Sequence, residues 1–237
     1  MKISKVCLDL DDTLIPNTYK YHGPILRCAM IVVRALKHKS MYPPDLLKLH
    51  LDIDQGLVAE KGFSTDRFPL SWVLTYERLA ATAEVPIDPK VVERLRSVAS
   101  EFQRGPFRMF RGTKGVLRRL KREGRELHVI TAGDETLKRR KIEEAGIAAY
   151  VDSVHVTPMK KKDILFSIVG DRPGEGAMVG DSKKSDILPA IELGMTAVWL
   201  PSETWSFVNA DIDETKYHRI KSVTELPDLL RKIETAR

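Results

Sequence analysis

Short apolar runs alternate with helical patterns along most of the chain. The runs are bounded by turn residues and predict buried strands. They span residues 3–10, 127–131, 154–156, 177–180 and 196–200, with a weaker sixth run near 217–220. Between and after them, helical spacing predicts helices over 115–123, 135–145, 162–169 and 185–193, and one at the C-terminal end. This alternation predicts an α/β fold with a Rossmann-like parallel sheet that is covered by helices on both faces.

One long segment interrupts the alternation. Between about residues 16 and 102, all convincing patterns are helical, at 26–36, 44–51, 70–83 and 89–102, with proline and glycine between them. We therefore predict a helical cap domain at 16–103, inserted into an α/β core formed by 1–15 and 104–237.

Polar residues follow the predicted strands in a distinctive order. In parallel sheets the binding crevice lies at the carboxyl ends of the strands, so residues just after each apolar run are candidates for a site. In chain order these candidates are Asp9 and Asp11, then Thr131, then the lysine run 160–162, and finally Asp181 with Asp186. Each motif alone has a simple structural explanation as a turn, a helix cap or a solvated face. Their order after successive strands favours a shared site.

These residue types suit magnesium and phosphate chemistry. Two carboxylates close together at a buried strand end need a cation or a proton to neutralise them. Oxygen ligands from Asp9, Asp11 and Asp181 suit Mg²⁺. The hydroxyl of Thr131 and the amides that begin the next helix can bind phosphate oxygens, and a lysine can neutralise the charge that is transferred.

The motifs resemble those of the haloacid dehalogenase-like superfamily of phosphohydrolases. An apolar strand followed by Asp-x-Asp-x-Thr matches residues 6–14, and an apolar strand ending in threonine matches 129–131. Gly180-Asp181 with Asp186 matches the fourth motif of the superfamily, Gly-Asp with a further Asp four or five residues on. The helical insert falls where the C1-type cap of this superfamily occurs, so the resemblance covers the whole chain.

The resemblance implies the central roles. Asp9 is the expected nucleophile, which forms an aspartyl-phosphate. Asp11 is the expected general acid, which then becomes the base that activates water. Asp9, Asp181 and the backbone carbonyl of Asp11 are the expected ligands of Mg²⁺.

The resemblance also implies supporting roles. Thr131 and the amide of Ala132 are expected to hold phosphoryl oxygens. Asp186 is expected to orient the lysine or the waters of the metal. For the lysine itself, both Lys160 and Lys161 fit the spacing, and the choice between them stays open.

The predicted function is that of a Mg²⁺-dependent phosphatase that acts on a small phosphorylated metabolite. Superfamily members that remove halogens lack the second acid of the first motif, so Asp11 favours phosphate chemistry. A phosphomutase of the β-phosphoglucomutase type would carry the same residues and stays open. A non-catalytic regulatory protein that keeps the fold is the third alternative.

Net charge favours an anionic ligand. Lysine and arginine outnumber aspartate and glutamate by 39 to 33, which gives a net charge of +6. Runs such as 118–122, 138–141 and 160–162 are interpreted mainly as solvated helix faces, so nucleic acid is not an expected partner. A small anionic phosphorylated substrate is expected instead, and the oligomeric state cannot be inferred.

The two cysteines and the distribution of apolar residues bear on where the protein is located. Cys7 and Cys28 lie in apolar segments and are predicted to be core residues rather than disulfide or metal ligands. No stretch resembles a signal peptide or reaches the roughly 18 apolar residues of a membrane span. We therefore expect a cytoplasmic protein without a membrane partner.

Overall fold

The chain divides into an α/β unit and a helical unit. In this computed structural model, residues 2–37, 43–158, 161–202 and 209–236 are described. The α/β unit consists of Met1–Thr18 and Gly105–Arg237, and the helical unit consists of Tyr19–Arg104. That the helical unit serves as a cap stays a prediction.

The α/β unit is built on a parallel sheet of six strands. They are β1 (Lys5–Leu8), β2 (Glu126–Ala132), β3 (Ser153–Thr157), β4 (Gly176–Gly180), β5 (Thr196–Trp199) and β6 (His218–Arg219). Their order across the sheet is β3-β2-β1-β4-β5-β6, and every neighbouring pair is parallel. The predicted Rossmann-like sheet is therefore confirmed, including the weak sixth strand. The direction of strand order reverses at β1, the point at which open α/β sheets bind ligands.

The helical unit contains α1 (Tyr19–Ala35), α2 (Pro43–Lys61), α3 (Arg67–Thr82) and α4 (Pro89–Ala99). All four predicted helices are present, but α1 and α2 are much longer than predicted. Helix α1 begins well before residue 26 and includes Pro24 in its second turn, where the proline cannot donate the usual backbone hydrogen bond. Helix α2 continues past residue 51 to Lys61, and Asp54 within it forms a buried ion pair with Arg67.

The remaining helices follow the strands of the α/β unit. They are α5 (Thr113–Arg122), α6 (Glu135–Glu144), α7 (Lys162–Val169), α8 (Leu188–Glu192) and α9 (Leu226–Ala236). The helix predicted over 185–193 differs most, since it begins as a wide π-type turn over Lys183–Ile187. Pro189 lies at the start of α8, where its missing N–H is best tolerated.

Apolar side chains on both faces of the sheet form the core of the α/β unit. Val6 and Leu8 of β1 belong to one buried cluster, and Cys7 points to the other. Cys7 and Cys28 are fully buried, and burial raises the pKa of each thiol to about 12, so both behave as the predicted core residues. None of the helices in the described ranges is long and apolar enough to cross a membrane.

A buried polar network joins α2 to α3 in the helical unit. Arg67 forms an ion pair with Asp54, and both side chains are almost fully buried. His50 Nε2 lies 3.0 Å from Ser71 Oγ, and the His50 ring stacks on Trp72 with 3.8 Å between ring centroids. Burial lowers the pKa of His50 to about 3, so the ring is neutral near pH 7.

Replacing Arg67 tests the importance of this network. Arg67→Met would leave the Asp54 carboxylate buried without its counter-ion, and we expect a loss of about 3–5 kcal/mol in the free energy of unfolding. The measurement is urea denaturation. Arg27→Met is the matched control, because Arg27 pairs with Glu101 at the surface and is 52% exposed. Equal urea midpoints for the two variants would contradict the expected role of the buried pair.

Candidate active site

A buried lysine joins two of the strand-end carboxylates. Asp9 directly follows β1, and Lys161 directly precedes α7. Lys161 Nζ donates to Asp9 Oδ1 at 2.5 Å and to Asp186 Oδ1 at 2.6 Å. Burial favours the neutral amine, but the carboxylates of Asp186 and Asp9 outweigh it and raise the pKa of Lys161 above its usual value. The structure thus brings Lys161 into the site, whereas Lys160 lies outside the described residues.

Three carboxylates cluster around this lysine. One oxygen from each of Asp9, Asp181 and Asp186 lies within 4.8 Å of the others, and all three residues are buried. Burial, together with repulsion by Asp9 and Asp186, raises the pKa of Asp181 well above its usual value. Burial raises the pKa of Asp186 to about 6, although Lys161 opposes this effect. Three acids with one lysine leave an excess of negative charge, and their hard oxygen donors fit Mg²⁺.

Backbone and side-chain hydrogen bonds fix the acids that follow β4. The amide of Ser182 donates to Asp186 Oδ2 at 3.0 Å. Ser202 Oγ donates to Asp181 Oδ2 at 2.7 Å, and Trp199 Nε1 donates to the Asp181 carbonyl oxygen at 2.8 Å. Trp199 and Ser202 are not among the site residues predicted from the sequence. Ser202 lies just beyond the carboxyl end of β5, which is the kind of position where the other candidate residues were found.

Gly180 lets Asp186 approach the backbone. A Cβ atom at residue 180 would lie 2.2 Å from Asp186 Oδ2 and 2.7 Å from Asp186 Cβ. Neither atom can move away easily, because Asp186 is fully buried and bound to Lys161. The glycine of the Gly-Asp motif is thus a packing requirement.

A pair of glycine substitutions tests this requirement. Gly180→Ala is expected to lower the free energy of unfolding by about 1–3 kcal/mol through overpacking. It should also weaken Mg²⁺ binding, because Asp186 and Asp181 would shift. Gly115→Ala in α5 is the matched control, since nothing lies within 4 Å of an added Cβ there. Because glycine weakens a helix interior, the control should be stabilised by about 0.5–1 kcal/mol. Denaturation and calorimetric Mg²⁺ titration give the two readouts, and a Gly180→Ala protein unchanged in both would contradict the interpretation.

The carboxylate of Asp11 lies in a separate cluster. Lys138 Nζ donates to Asp11 Oδ2 at 2.5 Å, and Lys141 Nζ donates to Oδ1 at 2.9 Å and to Oδ2 at 3.0 Å. Lys141 also donates to Asn17 Oδ1 at 2.7 Å. Lysines hold the Asp11 side chain. The predicted contribution of Asp11 to a Mg²⁺ site is therefore limited to its backbone carbonyl, while Asp9 and Asp181 remain predicted side-chain ligands.

The interpretation of the run 138–141 as a solvated face was wrong for two of its residues. Lys138 is 8% exposed and Lys141 is 2% exposed, whereas Arg139 and Arg140 face solvent. Lys161 is likewise a buried exception in the run 160–162. The signal that could have found Lys138 and Lys141 is their spacing of three residues on a helix that begins at a strand end.

Electrostatics keep Asp11 ionised. Burial alone would raise its pKa, but the attraction of Lys138 and Lys141 outweighs burial and lowers the pKa below its usual value. Burial lowers the pKa of Lys141 to about 8, although Asp11 opposes this effect. Asp11 is therefore in the form that can accept a proton.

Asp12 closes the loop that carries both acids. Its backbone has a left-handed φ of 56°, a conformation that aspartate tolerates better than most residues. Its carboxylate accepts hydrogen bonds from the amide of Asn17 at 2.8 Å and from the amide and hydroxyl of Thr18. The loop after β1 is thus held from both ends.

Thr131 and Ala132 lie at the same edge of the sheet. Thr131 is 1% exposed, and both residues pair with β3 at the end of β2. Asp134 then caps α6 by accepting a hydrogen bond from the amide of Leu137 at 2.8 Å. The amides that start α6 therefore lie next to the end of β2, as predicted from the sequence for a turn that binds an anion.

Comparison with known proteins gives relatives but no matching family model. N-acylneuraminate-9-phosphatase of Homo sapiens is 25% identical over 98% of this chain and 96% of its own length. Glyceraldehyde 3-phosphate phosphatase of Pyrococcus furiosus is 31% identical over 52% of this chain and 53% of its own length. Among solved structures, a haloacid dehalogenase-like family hydrolase from Xanthomonas campestris has a TM-score of 0.79 at 20% identity. That match covers 99% of this chain and 97% of the other.

The relatives and the fold agree with the residues at the strand ends. The structural neighbour shares the α/β fold, and the curated relatives are phosphatases. The chain is thus similar in fold to a haloacid dehalogenase-like hydrolase and in sequence to phosphatases, enzymes that hydrolyse phosphoric monoesters.

Proposed function

We propose that this protein is a Mg²⁺-dependent phosphatase that hydrolyses a small phosphorylated metabolite through an aspartyl-phosphate on Asp9. The observation that carries the proposal is the division of the acids into two clusters. Asp9 lies with Lys161, Asp181 and Asp186, whereas Asp11 is held separately by two other lysines. One carboxylate is thereby available to attack phosphorus, and another is available to move a proton.

The acidic cluster is suited to hold the metal. Asp9, Asp181 and the backbone carbonyl of Asp11 would bind Mg²⁺, with Asp186 orienting Lys161 and the metal's waters. When bound, Mg²⁺ would neutralise charge between the nucleophile and the phosphate dianion. The cluster carries two more acids than lysines, which matches one divalent cation.

In the first step, a carboxylate oxygen of Asp9 forms a bond to phosphorus while the bond from phosphorus to the leaving oxygen breaks. The leaving oxygen takes a proton from Asp11, which must have gained one after substrate binding. Lys161 neutralises negative charge on the phosphoryl group, and Thr131 and the amide of Ala132 hold its oxygens.

In the second step, water attacks the phosphorus of the aspartyl-phosphate. Asp11 accepts the proton of the water as the bond between phosphorus and Asp9 breaks, which releases inorganic phosphate, restores the Asp9 carboxylate and leaves Asp11 protonated. The ionised state of Asp11 in the structure supports this second role.

The relatives support a proposal for the substrate class. Those that span nearly the whole chain are N-acylneuraminate-9-phosphatases, at 25–27% identity. We therefore propose a phosphorylated sugar or sugar acid as the first candidate. Glyceraldehyde 3-phosphate and phosphoserine, which shorter matches suggest, complete a substrate screen.

Removal of the nucleophile tests the chemistry. Wild-type protein is expected to hydrolyse p-nitrophenyl phosphate with Mg²⁺, to lose activity in EDTA and to regain it when Mg²⁺ is added. Asp9→Asn should lower turnover by at least about 10³-fold, since an asparagine amide cannot form the aspartyl-phosphate. Turnover by Asp9→Asn close to that of the wild type would rule out the proposed nucleophile.

Neighbouring lysines test the choice of the cationic residue. Lys161→Met should lower kcat by about 10²–10³-fold, because it removes the charge that faces the phosphoryl group. Lys162→Met should retain wild-type kcat, since Lys162 is 49% exposed and pairs with Glu192. Lys160→Met completes the series. A loss in Lys160→Met instead of Lys161→Met would transfer the role to Lys160.

A further inference from the structure

Two lysines of α6 bind the Asp11 carboxylate, the group proposed to transfer protons in the reaction. Lys138 and Lys141 are one helical turn apart, so their side chains leave the same face of α6. Both reach Asp11, although it lies more than a hundred residues earlier in the chain. Asp134 caps the start of α6 directly after β2, and this cap fixes where the helical turn with Lys138 begins.

The cluster concentrates charge in a largely buried place. Lys138 and Lys141 both pair with Asp11, Lys141 also donates to Asn17, and the carboxylate of Asp12 acts on Lys141 as well. Burying charged groups is costly even when they are paired. Such a local cost is typical of functional sites.

The contacts fix the orientation of the carboxylate. Both oxygens of Asp11 accept hydrogen bonds, and Lys141 contacts both of them, so the group cannot rotate without breaking an ion pair. Asp12 and Asn17 tie the surrounding loop to the same place. Positioning of this kind matters because a displacement of about 1 Å can lower a rate by about 10²-fold.

The contacts also keep Asp11 away from the other acids. Lys161 is occupied by Asp9 and Asp186, and Asp11 has its own cationic partners. Without Lys138 and Lys141, the Asp11 carboxylate would be free to turn towards Lys161 or towards a cation in the acidic cluster. A carboxylate engaged there could not reach the leaving oxygen.

We propose that Lys138 and Lys141 are positioning residues, which together place the Asp11 carboxylate for proton transfer to and from the phosphate ester. This inference rests on the proposed function, in which Asp11 is the general acid and base. It assigns the lysines no contact with substrate, and they act only through Asp11.

The test compares two esters. Lys138→Met and Lys141→Met keep most of the side-chain volume and remove the charge. For glycerol phosphate, whose alkoxide must be protonated, kcat/KM should fall by about 10²-fold. For p-nitrophenyl phosphate, whose leaving group departs without a proton, kcat/KM should fall by no more than about 10-fold. A merely structural lesion would lower both values alike.

A double-mutant cycle provides the second readout. If the lysines act through Asp11, Asp11→Asn/Lys141→Met should be no slower than Asp11→Asn alone, within about twofold. Multiplied losses in the double mutant would overturn the proposal. Calorimetric Mg²⁺ binding should be the same in the wild type and in Lys138→Met, because Lys141 still holds the Asp11 carboxylate and Asp11 is expected to contribute only its backbone carbonyl to the metal.

Matched variants separate positioning from folding. Lys121→Met is the control. Lys121 donates to both oxygens of Asp152 at 2.6 and 2.8 Å, but it is 39% exposed and pairs with none of the acids of the candidate site. It should keep wild-type activity. If Lys141→Met fails to fold, Lys138→Met and its rescue by Lys138→Arg carry the test, because arginine restores the positive charge and the side chain of Lys138, at 11% exposed, is less deeply buried than that of Lys141.

The possible failures differ. Wild-type activity in Asp11→Asn would refute the proposed proton transfer and the positioning role together. A large loss in Asp11→Asn, with wild-type activity in both lysine variants, would refute only the positioning role. Equal losses for the two esters would also count against it.

Discussion

Repulsion among buried carboxylates is the constraint on which the site depends. Asp9, Asp11, Asp181 and Asp186 come from two neighbouring parallel strands and the turns after them, so the sheet itself forces them towards one edge. Acids this close cannot all stay ionised unless cations lie among them. Lys161 serves one group, and Lys138 with Lys141 serves the other. The two groups differ in composition, since three acids share one lysine in the first, whereas Asp11 has two lysines in the second.

This difference in composition gives the two halves of the site different chemistry. The first group has the oxygen donors and the charge for a divalent cation. The second group holds its acid ionised, because Lys138 and Lys141 lower the pKa of Asp11. Similar residues thus take different roles because their neighbours differ, and the neighbours differ because α6 and α7 follow different strands.

Several parts of the fold serve this arrangement. The absence of a side chain at Gly180 lets Asp186 lie against the end of β4, where the amide of Ser182 binds it. Asp12 adopts a left-handed conformation and closes the loop after β1. Trp199 and Ser202 hold Asp181 from the side of β5. Each contact is local and removes some freedom from an acid that would otherwise turn away from its neighbours.

The sequence alone determined the sheet, the helical segments and the positions of the strand-end acids, because burial leaves a period in the sequence and parallel strands end at one edge. It also pointed to Thr131 and to the lysine run that contains Lys161. Only the tertiary structure decided which lysines are buried. Lys138 and Arg139 look alike in the sequence, but one contacts Asp11 and the other faces solvent. Burial of these charges depends on a partner more than a hundred residues away, and the spacing of the lysines along α6 does not identify that partner.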